Sequence, residues 1–196
     1  MDGTSGEDYA DRLVQLSDAR WKRLLNVQTP YRWHLRRHRL GRTLDVGCGI
    51  GRNLAWLPDG SVGVDHNEAS VRVARGRGLA AFTVAEWRRA DQAVAGSFDS
   101  LLLAHVVEHM TIGEARALLE EHLPAVRLGG RVLVICPQER GFASDPTHVE
   151  WFDDGKIANL LAQSGLQVRR ASSFPLPRRA GRVFRYNEFV VEAVKH

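Results

Sequence analysis

The stretch Leu44–Leu57, LDVGCGIGRNLAWL, constrains the fold more than any other part of the chain. Gly47, Gly49 and Gly51 alternate directly after a short apolar run that reads as a buried strand. Glycine is used where the backbone must turn tightly or let a ligand approach closely. A strand that ends on such a turn and runs into a helix opens an α/β sheet whose ligands sit beyond the carboxyl ends of the strands. Arg52 stands where a dinucleotide fingerprint has its third glycine, and no GxxxxGK[ST] loop is present. The turn therefore makes no case for pyrophosphate and gives a phosphate loop little support.

The rest of the chain supplies an alternation. RTLDVG, SVGVD, AAFTVA, FDSLLLAHV, GGRVLVICP, LQVRRASSF and RYNEFVVEAVK read as strands. RNLAWL, EASVRVARGRG, IGEARALLEEHLPAV and DGKIANLLAQSG read as helices from their apolar spacing and glycine stops. Such alternation predicts a doubly wound, mostly parallel α/β sheet. Only PLPRRAGR separates the last two strands, which is too short for a parallel crossover. The last strand is therefore expected to pair antiparallel. Upstream, Leu13, Leu16, Trp21, Leu24 and Leu25 give residues 8–26 a helical spacing. Thr29-Pro30 is read as a break, followed by a basic helix over roughly 31–39. Residues 1–40 are thus expected to be a helical extension or lid on a Rossmann-like core, 41–196, in one domain.

Apolar residues make up 44% of the chain and charged residues 26%, the balance of an ordinary globular protein. No apolar run approaches the roughly 20 residues that span a bilayer. The opening MDGTSGEDYADRL lacks the apolar core of a secretory signal. Cys48 and Cys136 each sit beside an apolar run and form no CxxC pair, which predicts free thiols in a reducing cytoplasm. Basic residues concentrate at Arg20, Lys22, Arg23, Arg32, Arg36, Arg37, Arg39 and Arg42. They read as a solvated helical face or as a site for an anionic or nucleic-acid partner. Sparse aromatic interleaving favours the first.

Two acids refine the glycine turn. Asp45 lies inside an otherwise apolar strand, and a buried carboxylate calls for a cationic ligand group or a set of backbone donors. Asp65 ends the next strand, 20 residues on, where a carboxylate accepts the hydroxyls of a ribose. With these residues the chain resembles the class I S-adenosylmethionine-dependent methyltransferases. LDVGCGIGRNLAWL is similar to their first motif and VGVDHN to their second. SFDSLLLAHVVEHM and AVRLGGRVLVICP are similar to the stretches around their fourth and fifth strands. The resemblance covers about residues 40–194 and implies a seven-stranded sheet with an antiparallel last strand. It also implies S-adenosylmethionine as cofactor. Asp45 would support its methionine amino end, and Gly47, Cys48 and Gly49 would line it. Asp65 would hold the ribose, with His66 and Asn67 beside the adenine. Glu86 and Trp87 would stand on the adenine side, although the acid usual one step earlier is missing. Ala104 and His105 would lie near the sulfonium, and Tyr31 and Arg32 would cover the carboxylate.

The acceptor side is expected from two histidine-bearing stretches, AHVVEHM and DPTHVEWFD. Deprotonating an alcohol needs a base, and histidine suits that near neutral pH. His148 is the first candidate, with His105, Glu108, His109 and Glu150 beside it. HVVEH also matches the HxxEH zinc pattern of one peptidase class, but that pattern belongs on a long helix and this one follows a strand. Some members of the methyltransferase superfamily bind a divalent metal at a similar cluster. The resemblance thus makes His105, Glu108, His109 and His148 candidate ligands for Mg2+ or another divalent ion. Trp151 and Phe152 would either floor an acceptor ring or belong to the core.

The leading expectation is methyl transfer to a hydroxyl of a small molecule, such as a saccharide or glycan precursor. The alternative is an RNA or protein methyltransferase that uses the basic N-terminal segment. Against it, no [DNS]PP[YF] tetrad follows the fourth strand, and no RNA-binding domain is appended. A third reading is a regulatory subunit that binds the cofactor without turnover. Spare apolar residues in the N-terminal helices would suit a lid or a homodimer.

Overall fold

The computed structural model describes residues 29–89 and 94–196. The helix expected over 8–26 lies outside the described residues. The chain divides into two compact units, 1–93 and 94–196.

In the first unit, helix α1 (Thr29–Arg37) begins at the Thr-Pro pair that the sequence reading took as a break. Proline is tolerated in a first helical turn, where its missing N–H has no partner to lose. Arg32, Arg36 and Arg37 are exposed and Leu35 is buried, as a solvated basic face requires. Strands β1 (Thr43–Val46) and β2 (Val62–Asp65) are buried throughout and pair in parallel, Leu44 opposite Val62 and Val46 opposite Val64. Strand β3 (Ala81–Thr83) extends the ladder in parallel beside β2.

RNLAWL was expected to open a helix, but only a 3-10 turn forms, Leu54–Trp56. Leu57 is already extended, and Pro58 follows, which cannot continue a helix. Helix α2 (Glu68–Gly76) is capped by Asn67, whose side chain accepts from the Ser70 N–H. Gly78, at φ 79°, takes the chain out of it. Residues Val84 and Ala85, read as strand, instead open a one-turn helix, α3 (Val84–Trp87), because Thr83 and Glu86 form a capping box. Gly63 of β2 admits no side chain: a Cβ there would lie 2.6 Å from Cys48 Sγ and 2.8 Å from Leu54 Cδ2.

In the second unit, β4 (Phe98–Ala104) and β5 (Val126–Pro137) pair in parallel, Leu102 opposite Leu133 and Ala104 opposite Ile135. Helix α4 (Ile112–His122) joins them and starts on a second capping box, Thr111 with Glu114. Short α5 (Glu139–Phe142) follows β5, and α6 (Asp154–Gln163) starts on an Asp153 cap and leads to β6 (Leu166–Phe174). The last strand, β7 (Glu188–Lys195), pairs antiparallel with both β5 and β6, as the short connection required. The strand order is β3-β2-β1-β4-β5-β7-β6, a seven-stranded mixed sheet. Among the described residues no helix is long and apolar enough to cross a membrane.

Candidate functional site

The glycine turn of the first unit folds as its sequence implies. Gly47, Gly49 and Gly51 all adopt left-handed backbone, with φ of 77°, 52° and 79°. Side chains rarely tolerate that region. The Gly47 and Cys48 N–H groups donate to the Val64 carbonyl, which ties the turn to β2. Asp65 fastens it further: Oδ2 accepts from the Gly49 N–H at 2.7 Å, and Oδ1 accepts from the Asn67 N–H at 2.8 Å. One carboxylate thus links the turns that follow β1 and β2.

Asp45 is 1% exposed, and its Oδ2 has no hydrogen-bond partner among the described residues. Burial, reinforced by the Asp65 charge and opposed by a hydrogen bond from the Leu54 backbone, raises its pKa to about 7. A buried carboxylate oxygen left open in this way is suited to a cationic group. These features fit an adenosyl cofactor that carries an amino acid: an open anionic oxygen, a turn stripped of side chains, and a second carboxylate at the end of β2. Cys48 is buried, and burial together with the Asp45 and Asp65 charges pushes its thiol far above the ordinary range. It fills the turn as a small neutral residue and has no redox character.

The other expected cofactor residues have mixed placements. His66 is exposed, with Nδ1 3.6 Å from Asp65 Oδ1. Asn67 is buried and committed to its cap. Glu86 accepts from the Thr83 N–H and from Arg75, which hold its carboxyl down at about 2, so this carboxylate is already occupied. Trp87 is buried. Tyr31 is half-buried and Arg32 exposed on α1. Asp65→Ala is expected to weaken binding of S-adenosylhomocysteine at least about 100-fold, since hydrogen bonds to a charged group contribute roughly 1.5–3 kcal/mol each. Isothermal titration checks this, and an unchanged affinity would remove Asp65 from the site.

In the second unit, the histidine cluster gathers beyond the carboxyl end of β4. Ala104 is buried at the strand end, and His105 follows in left-handed backbone, φ 61°. A 3-10 turn, Val107–His109, then carries Glu108 into the interior. Its carboxylate is buried, with His105 Nδ1 3.2 Å from Oε1. The Val149 and Glu150 N–H groups donate to the Glu108 carbonyl, which brings the loop with His148 against this turn. Glu108, His109 and His148 each place a ligand atom within 4.8 Å of the others.

Both histidines of that group are held in one tautomer. His148 Nδ1 donates to the Phe142 carbonyl at 2.7 Å, and its ring stacks on Phe142. His109 Nδ1 donates to the Thr147 carbonyl at 3.2 Å. The Thr147 hydroxyl is turned to Asp145, at 2.8 Å, so it does not compete for that proton. In each neutral ring the lone pair therefore sits on Nε2.

His105 does not join this group. Its Nε2 donates to Glu188 Oε1 at 2.8 Å, and its Nδ1 stands 3.2 Å from Glu108 Oε1. Desolvation opposes a charge there, but the Glu188 and Glu108 carboxylates outweigh it and hold its pKa well above the ordinary histidine value. Both ring nitrogens face carboxylates, so His105 offers neither a free base nor a free ligand atom. Glu150 is also occupied, by the Ile112 N–H and Lys156. Phe152 is a core residue, whereas half-buried Trp151 packs edge-on against Phe142 and Phe189. Glu188 escaped the sequence reading. Its one local signal is an acid that opens the apolar run EFVVEAV, and its partner lies 83 residues away.

The methyltransferase domain family model matches residues 43–130. A comparison with curated proteins finds no match. Among solved structures, the chain is similar to a SAM-dependent methyltransferase from Archaeoglobus fulgidus, with a TM-score of 0.64 at 19% identity over 84% of this chain and 93% of that one. It is also similar to the Synechocystis PCC 6803 magnesium protoporphyrin IX methyltransferase with bound SAH, with a TM-score of 0.61 at 18% identity over 92% and 86%. A SAM-dependent methyltransferase from Thermotoga maritima gives a TM-score of 0.65 at 17% identity over 94% and 97%. The methyltransferase domain match over residues 43–130 and the shared fold agree with the resemblance to class I S-adenosylmethionine-dependent methyltransferases.

Proposed function

We propose that this chain transfers a methyl group from S-adenosylmethionine to a hydroxyl of a small molecule in the cytoplasm, with a saccharide or glycan precursor as the acceptor class. Asp45, the Gly47–Gly51 turn and Asp65 would hold the cofactor by its amino group, its backbone-lined middle and its ribose. The bound cofactor supplies an electrophilic methyl on a sulfonium: the acceptor oxygen provides the electron pair of the new C–O bond, and the C–S pair stays with sulfur.

The observation that carries the hydroxyl reading is the fixed tautomer of His148. With Nδ1 donated to Phe142, its Nε2 is an acceptor beside His109 and the buried Glu108 carboxylate. A cluster built from acceptors is suited to take the proton that an alcohol loses on methylation. The test is transfer of labelled methyl from S-adenosylmethionine to a panel of saccharides and to a fractionated cell extract, with the product atom located by NMR. Label in a small-molecule fraction on oxygen is expected. Label confined to RNA or protein would overturn this reading in favour of a macromolecular acceptor.

A further inference from the structure

We propose that the connection between β6 and β7 is a docking surface for a lipid membrane that carries anionic headgroups. Residues 175–187, PLPRRAGRVFRYN, hold Arg178, Arg179, Arg182 and Arg185 and no acid. Arg178 is taken by Glu139, at 2.7 and 2.9 Å, and lies over the Phe189 ring. Arg179, Arg182 and Arg185 are exposed, and among the described residues no salt bridge engages them. The same stretch displays large hydrophobic side chains beside these cations: Val183 is 80% exposed, Tyr186 48% and Leu176 43%. Exposed hydrophobic residues set among unspent positive charge mark a contact surface for a partner that is itself part apolar and part anionic.

The turn is built to present these groups. Asn187 closes it: Oδ1 accepts from the Leu176 N–H at 2.9 Å, and Nδ2 donates to Gln138 Oε1 at 2.8 Å. The Ala180 carbonyl accepts from the Val183 and Phe184 N–H groups, and a Cβ on Gly181 would lie 2.0 Å from Gln138 Oε1. The backbone is held by the protein's own bonds, and an exposed valine adds nothing to that hold. A second copy of the chain is a poor occupant, because a two-fold contact sets these arginines against themselves. Nucleic acid stacks its bases on open aromatic faces. Val183 and Leu176 have none, and Arg185 already lies over the Tyr186 ring, 5.2 Å from its centre. An anionic bilayer suits all three kinds of side chain: arginine meets headgroup phosphate, tyrosine sits at the interface, and valine and leucine reach the acyl boundary. Glu188, the residue after Asn187, reaches His105 at 2.8 Å, so a docked membrane faces the end of the sheet that holds the histidine cluster.

The test is flotation of the full-length protein with vesicles of phosphatidylcholine alone or of phosphatidylcholine with one-third phosphatidylglycerol. Wild type is expected to partition onto the anionic vesicles only, and to be released as NaCl is raised from about 0.05 to 0.5 M. Arg179→Gln, Arg182→Gln and Arg185→Gln should each lower partitioning about 5-fold, and the three together about 100-fold. Val183→Ser, which leaves the charge unchanged, should lower it about 10-fold with the same salt dependence. All four side chains are exposed, so each variant should keep the wild-type melting temperature and affinity for S-adenosylhomocysteine. The proposal is overturned where wild type stays off the anionic vesicles, or where the triple variant partitions as well as wild type, which assigns binding to the basic residues before Thr43. It is equally overturned where Val183→Ser partitions as well as wild type. A gel shift of bulk RNA that the triple variant loses, without vesicle binding, overturns it in favour of nucleic acid. A dimer that Val183→Ser dissociates, again without vesicle binding, overturns it in favour of a second copy.

Discussion

Asp45→Asn is expected to abolish cofactor binding and, at the same time, to make the free protein more stable at pH 8. The opposite signs follow from one carboxylate. Asp45 is buried, one of its oxygens has no partner among the described residues, and burial raises its pKa to about 7 from an ordinary 3.8. Because the folded-state value is the higher one, its contribution to stability is present below about pH 4 and is lost as pH rises through 7. Three units correspond to about 4 kcal/mol. Asparagine has the same shape and cannot ionise, so denaturant melts of the free variant should be flat over that window while wild type loses stability. Binding moves the other way. A cofactor ammonium gains from the ionised carboxylate alone, so wild-type affinity for S-adenosylhomocysteine should rise between pH 5.5 and 8 with release of a proton. Titration calorimetry in buffers of different ionisation enthalpy measures that proton directly. A variant that binds as tightly as wild type would show that Asp45 carries only a folding penalty and has no part in the site.

The glycine turn and the carboxylates around it were legible because their signals are local. Asp45, Gly47, Gly49 and Gly51 lie within seven residues, and each departs from what a buried strand and turn would otherwise contain. Asp65 lies at the end of the adjoining strand, and its two hydrogen bonds reach only to residues 49 and 67. The helix expected after the turn failed on a local rule as well, since Pro58 and Gly60 leave room for one 3-10 turn. Thr83-x-x-Glu86 is a capping-box signature that a strand reading of AAFTVA obscured. The histidine cluster was less legible because its geometry is long-range. That His109 and His148 share a site depends on the Glu108 carbonyl holding the loop at Val149, and no periodicity in either segment announces that contact. The separation of His105 from the group depends on Glu188, whose strand is placed by antiparallel pairing with β5 and β6.

His148→Ala is the second large effect, and its value lies in what it should leave intact. The half-buried ring touches His109 and Phe142, the last residue of the one-turn helix α5, and no strand. Its loss should therefore lower thermal stability only slightly and leave the affinity for S-adenosylhomocysteine at the wild-type value. Turnover should fall at least about 100-fold, the scale of a positioned proton acceptor. Two neighbours are engaged elsewhere: both His105 ring nitrogens face carboxylates, and the Glu150 carboxylate is held by Ile112 and Lys156. Added imidazole, which fits the space of the missing ring, should restore part of the rate. Steady-state kinetics with and without imidazole, beside cofactor binding on the same sample, separate the two possible losses. A fall in cofactor affinity would make His148 a structural residue. Near wild-type turnover would remove it from the chemistry and shift the acceptor's proton to Glu108 and His109.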